Sequence, residues 1–121
     1  MASRLGLRPW LGAAAATLPT GRLRLVELGR ALCSSPSVLL LDEPASGLDD
    51  SETGELREVL RSLAGEGLTL LLVEHDLGLV RDTADVVHVM VAGRIVMSGS
   101  AADAEADLAA RALVIETRGT P

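Results

Sequence analysis

Residues Val38 to Asp50 read VLLLDEPASGLDD, an apolar run that ends abruptly in two adjacent carboxylates, a proline and a second acidic pair. A run this short and this apolar is a buried strand, and a strand buried on both faces belongs in a parallel sheet covered by helices. Open sheets of that kind place their ligand crevice at the carboxyl ends of the strands. Asp42 and Glu43 stand at such an end, where they either serve a divalent cation and a water or merely solvate the chain before Pro44 breaks it.

The punctuation around this strand extends the α/β reading. After Pro19, Leu23, Val26, Leu28, Ala31 and Leu32 fall near one helical face, and Ser34-Ser35-Pro36 stops the helix. Asp49 and Glu52 have the spacing of a capping box, and Leu56, Val59, Leu60 and Leu63 follow at three- and four-residue steps to Gly65. Leu68 to Val73 is a second continuous apolar run, again long enough for a strand buried on both faces, with His75 at its carboxyl end. Asp85 to Met90 and Arg94 to Met97, joined through Ala92-Gly93, read as a β-hairpin, and Ser100 with Asp103 caps a short terminal helix. Strand, helix, strand, helix predicts a parallel sheet with a right-handed crossover.

Composition removes several classes of function. A formal net charge of -6 argues against a phosphate-backbone binder, which needs a basic face, so nucleic acid is not an expected partner. Cys33 is the single cysteine and most simply a small buried residue at a helix end. Arg4 and Arg8 before Pro9-Trp10-Leu11-Gly12 and four alanines superficially resemble a secretory signal, but the apolar segment is short and weak. No run approaches the roughly 20 apolar residues of a transmembrane helix, so membrane contact is expected to be peripheral.

Four segments occur in one order and at compatible spacings: LPTGRLRLVELGRAL (Leu18 to Leu32), LLLDEPASGLD (Leu39 to Asp49), LLLVEHD (Leu70 to Asp76) and ADVVHVMVAGRIVMSG (Ala84 to Gly99). Together they resemble the C-terminal half of an ABC transporter ATP-binding subunit, from about Gly6 to about Ala101, and the wording is most like the branched-chain amino acid importers. The fold this implies is a partial P-loop NTPase core, a parallel sheet flanked by helices plus a C-terminal β-hairpin. One domain over residues 1–121 is expected, with 1–17 ending a helical subdomain, 18–101 carrying the signature, Walker B, D-loop and switch, and 102–121 forming a tail.

The resemblance also implies roles. Asp42 would bind Mg²⁺ through water, since magnesium keeps much of its hydration shell. Glu43 would be the general base or water-orienting group for attack on the γ-phosphate of ATP. Alternation along an extended backbone would send the two side chains apart. His75 resembles the switch histidine that reaches the γ-phosphate, whereas His88, in the hairpin, has no such setting. The signature, L-S-G-G-Q in its usual form, is here Leu18-Pro19-Thr20-Gly21-Arg22. It would close over ATP held by a facing subunit, its helix N-terminus turned toward phosphate. Gly21 keeps the close backbone approach; Pro19 replaces the serine, leaving Thr20 or Arg22 as substitute donors. Ser46-Gly47-Leu48-Asp49 resembles the D-loop, in which Asp49 can cap its helix and face the opposite subunit. The implied partners are a second ATP-binding subunit and membrane permease subunits, at the inner face of the cell membrane.

Certain absences bear equally on function. All 11 basic residues are Arg, so a phosphate loop of the form G-x-x-x-x-G-K-[ST] occurs nowhere in the sequence. Gln, Phe and Tyr are also missing, which removes the Q-loop and the usual adenine-stacking aromatic. The sequence is accordingly expected to be a fragment of a subunit, inactive alone. A non-catalytic remnant or interaction module, and a soluble ABC ATPase of repair or translation, stay open. An apolar Val38 to Leu41 strand deprived of a neighbour is expected to leave the isolated chain oligomeric, aggregated or molten.

Overall fold

The computed structural model describes the backbone of residues 1–119 and the side chains of residues 1–111; residues 120 and 121 of the expected tail lie outside the described residues. The chain divides into two units, Met1–His75 and Asp76–Pro121.

In the first unit, two 3-10 turns, Arg8–Trp10 and Ala15–Thr17, lead into helix α1 (Thr20–Leu32). Strand β1 (Val38–Asp42), helix α2 (Asp50–Gly65) and strand β2 (Thr69–Val73) follow. β1 and β2 pair in parallel, Val38 opposite Thr69 through Asp42 opposite Val73. The expected strand–helix–strand unit is thus present. α2 starts where Asp49 caps it: the Asp49 carboxylate accepts from the Glu52 N–H at 2.8 Å, and Glu52 reaches back to the Asp49 N–H at 3.1 Å. Leu56, Leu60 and Leu63 bury one face of α2, with Val59 half-buried beside them.

The buried stripe of α1 differs from the expected one. It runs Leu25, Leu28, Gly29 and Leu32, while Leu23, Val26 and Ala31 are only half-buried. Gly29 lies on the same face. A Cβ there would meet Leu5 Cδ1 at 2.9 Å, so the absence of a side chain lets the buried Leu5 press against the helix. Leu25, Leu28 and Leu32 have helical spacing of their own; the expected face shared Leu28 and Leu32 but took Leu23, Val26 and Ala31 in place of Leu25. Cys33, expected to be buried, is exposed just beyond the end of α1, where the chain leaves the packed surface.

Neither strand is buried on both faces, contrary to expectation. Leu39 is buried, but Val38 and Leu40 on β1 and Leu71 and Val73 on β2 are each more than half exposed. Register places Leu40 beside Leu71, so these residues form one open apolar face. The physical reason is the number of layers. Among the described residues the sheet has two strands, and a strand becomes buried on both sides only when both faces are covered.

The second unit contains α3 (Leu77–Thr83), β3 (Val87–Val91), β4 (Arg94–Gly99) and α4 (Ala101–Gly119). Positive φ at both Ala92 (50°) and Gly93 (79°) gives the tight turn that lets Val91 face Arg94, matching the twist of an antiparallel hairpin. The expected cap forms: Ser100 Oγ accepts from the Asp103 N–H at 3.1 Å and Asp103 Oδ2 from the Ser100 N–H at 3.2 Å. The helix it starts is not short; it spans 19 residues. Arg81 on α3 donates to Glu105 on α4, at 2.9 Å from Nε, and that hydrogen bond, then the Glu105 charge, raises the guanidinium above its ordinary pKa. No described helix is long and apolar enough to cross a membrane.

The open face makes a prediction. The isolated chain should self-associate through Val38, Leu40, Leu71 and Val73, and Leu40→Thr with Leu71→Thr should shift it toward monomer while leaving helical circular dichroism intact. Analytical ultracentrifugation checks this; a monomeric parent chain with a sharp thermal transition would contradict it.

Candidate functional site

Parallel pairing brings the carboxyl ends of β1 and β2 side by side, and with them Asp42, Glu43, Glu74 and His75. Asp42 is the last residue of β1 and exposed. Glu43 continues the pairing by donating its N–H to the Val73 carbonyl at 2.7 Å, but its φ of 47° is left-handed. The backbone therefore leaves the strand at Glu43, and a turn, not strand alternation, separates it from Asp42. A left-handed non-glycine residue is strained by about 1–3 kcal/mol and persists where its surroundings impose it.

His75 arrives from β2. Its Nδ1 lies 3.3 Å from Glu43 Oε1 and 3.6 Å from Glu74 Oε1. The structure thus places Glu43 and His75, which are 32 residues apart in the sequence, within contact of one another on an exposed rim. Glu74 is the residue that sequence reasoning did not assign. Its side chain has no solvent exposure, with Oε2 accepting from the Ala45 N–H at 3.2 Å and Oε1 from the His75 N–H at 3.0 Å. The only sequence signal was a charged residue at the end of a strand, where charge is ordinarily solvated.

The Leu18–Arg22 segment forms a second locus. Leu18 is half-buried and its N–H is bonded to Ala15, Pro19 occupies the cap position of α1 without a side-chain hydrogen bond, and Thr20 is exposed at its start. The space a Cβ would fill at Gly21 is taken by the Glu52 side chain, 2.9 Å away, so this glycine serves close packing of α1 on the start of α2. Arg22 is held by Glu55 through two hydrogen bonds, at 2.7 and 3.3 Å, and its guanidinium carbon lies 5.9 Å from the centre of the Trp10 ring, within cation–π range. Arg24 donates to the Ser46 carbonyl at 3.3 Å, tying α1 to the loop that precedes Asp49. Asp49 itself caps α2.

Trp10, Pro19, Arg22, Glu55 and Leu56 are among the residues around a shallow cavity of about 150 Å³. Sites for drug-sized ligands occupy roughly 300–1,000 Å³, so this cavity does not enclose a nucleotide. No cluster of three or more His, Cys, Asp or Glu side chains that could hold a metal ion is present among the described residues.

No protein-family model matches the chain. Individual proteins do. The glutamine transport ATP-binding protein of Geobacillus stearothermophilus is 36% identical over 92 residues, covering 76% of this chain and 38% of that protein. The methionine import ATP-binding protein of Corynebacterium jeikeium is 38% identical over 109 residues, 86% of this chain and 30% of that one. Among solved structures, cbiO1 of Clostridium perfringens, described as part of an ABC transporter complex, superposes with a TM-score of 0.79 at 30% identity, covering 87% of this chain and 42% of its own. An ATP-binding cassette of an ABC transporter gives 0.77 at 31% identity, over 82% of this chain and 39% of that one.

The chain therefore has part of the α/β fold of an ABC-type ATP-binding subunit. Its relatives and structural neighbours are ATP-binding subunits of ABC transporters, and it spans 38% and 30% of the length of the two relatives above.

Trp10 is the single tryptophan, so it reports on Arg22 directly. Glu55→Ala and Arg22→Ala should each shift Trp10 emission, and the double variant should give no further shift, because both changes remove one guanidinium from the ring face. Additive shifts would show that Glu55 does not hold Arg22 in place.

Proposed function

We propose that this chain is the signature, Walker B, D-loop and switch portion of an ATP-hydrolysing importer subunit, within a single ABC ATPase domain. The observation that carries the reading is the Glu43–His75 contact at 3.3 Å, formed at the joined carboxyl ends of two parallel strands. Glu43 orients or deprotonates the attacking water, and His75, able to donate one hydrogen bond and accept another, links that carboxylate to the γ-phosphate.

Asp42 fits Mg²⁺ by its chemistry. It is a single exposed carboxylate beside Glu43, and magnesium takes one or two protein carboxylates while keeping water and phosphate as its other ligands. The ion would supply charge neutralisation on the transferring phosphate. Leu18, Thr20, Gly21 and Arg22 would address ATP held by a facing subunit, a role in keeping with a cavity too small for a nucleotide of their own. Arg22 would have to leave Glu55 to reach phosphate, and Asp49 would face the same subunit while capping α2.

The partners of this reading are a second ATP-binding subunit and membrane permeases, with the chain peripheral to the inner face of the membrane. Relatives include proteins described for glutamate/aspartate import in Escherichia coli and molybdenum import in Rhodobacter capsulatus. The import described for these relatives supports an importer, and the finer proposal, branched-chain amino acids, rests on the VEHD ending and the form of the signature.

Two outcomes test the reading. The chain alone, lacking any Lys for a phosphate loop, should show no ATP binding at micromolar concentrations by calorimetry. Supplied with a half that carries the phosphate loop, it should hydrolyse ATP, and Glu43→Gln should lower kcat by about 10²-fold or more, the range for loss of a general base. ATP-bound dimers should then accumulate on size-exclusion chromatography. Undiminished turnover would remove Glu43 from the mechanism.

A further inference from the structure

We propose that Glu74 is the positioning residue of this site, a buried clamp that joins the turn after β1 to the end of β2 and so holds Glu43 against His75. The proposal rests on the reading of Glu43 and His75 as the hydrolytic pair. Its geometry is independent of that reading.

Burial is the first observation. Val73 and His75 on either side are more than half exposed, yet the Glu74 side chain has no exposure. A carboxylate withdrawn from water is destabilising unless its oxygens are occupied by donors. Those donors come from two different segments. Oε2 takes the N–H of Ala45, in the turn that Glu43 opens, and Oε1 takes the N–H of His75. One side chain thereby bonds the backbone of both segments that supply the pair.

The second observation is how weakly the two side chains hold each other. Glu43 and His75 have 52% and 76% of their side chains exposed, and exposed polar contacts order their partners weakly. On the Glu43 side, the turn is tied to β2 through the Val73 carbonyl and then through the Glu74 carboxylate. Farther along, Ser46 is bonded to the Glu43 carbonyl and to Arg24 of α1, so the Glu74 bond to Ala45 is the side-chain tie between β2 and the part of the turn next to Glu43.

Glutamine distinguishes a clamp from a space-filler. It has the size of glutamate but one acceptor oxygen and one donor amide, so it can satisfy one of the two N–H groups and must oppose the other. The experiment compares hydrogen–deuterium exchange of the full chain, Glu74→Gln and Glu74→Ala in peptides covering residues 43–48, 70–75 and α2. Glu74→Ala should speed exchange about tenfold in both loop peptides, as for loss of one hydrogen bond at each. Glu74→Gln should speed one of the two, and α2 should be unchanged in both variants. A Gln variant that exchanges like the parent chain, or acceleration that includes α2, overturns the clamp.

The same variants, supplied with the phosphate-loop half, should lower kcat about tenfold or more with KM for ATP unchanged. Local loosening with kcat intact would overturn a role in positioning the pair. No turnover in the parent protein would instead remove the hydrolytic reading, while the exchange result would still decide whether Glu74 joins the two segments.

Discussion

Parallel pairing of β1 with β2 is the constraint on which the rest of the first unit depends. The register that sets Asp42 opposite Val73 also lets Glu43 donate to the Val73 carbonyl, so the pairing ends with both chains leaving the sheet at the same level. A slip of one residue would carry Glu43 to the other side of the strand and remove it from His75. The crossover helix α2 keeps the two strands in that relation, and its start is fixed by the reciprocal Asp49 and Glu52 bonds.

A second set of contacts fastens α1 to the loops around this pairing. Arg24 reaches the Ser46 carbonyl, Arg22 reaches Glu55, and the missing side chain at Gly21 admits Glu52. These are polar or steric locks near the surface. Each contributes modestly by itself, since partly exposed ion pairs give about 0.2–1 kcal/mol. Their effect is geometric: the starts of α1 and α2 are held as neighbours.

The apolar face of β1 and β2 shows the converse situation, a surface whose sequence is written for burial and whose surroundings leave it open. Val38, Leu40, Leu71 and Val73 have the side chains of a central strand. Exposed surfaces of this type favour association with other chains. The relatives are more than twice as long as the matched stretch.

The sequence by itself determined the elements that local chemistry controls. The Asp49–Glu52 and Ser100–Asp103 caps, the turn at Ala92-Gly93 and the apolar stripe of α2 each depend on residues within a few positions of one another, so spacing sufficed to find them. Asp42, Glu43 and His75 could be singled out as candidates because they follow apolar runs. Tertiary structure alone decided three matters. It chose the buried face of α1, because Leu5 packs on Gly29 from a distant segment. It chose which faces of the strands stay wet, because burial depends on the layers present and not on the strand's own hydropathy. It also turned Glu74 inward: a carboxylate enters the interior only where donors such as the Ala45 and His75 N–H groups converge on it, and that convergence exists only after β1 and β2 have paired.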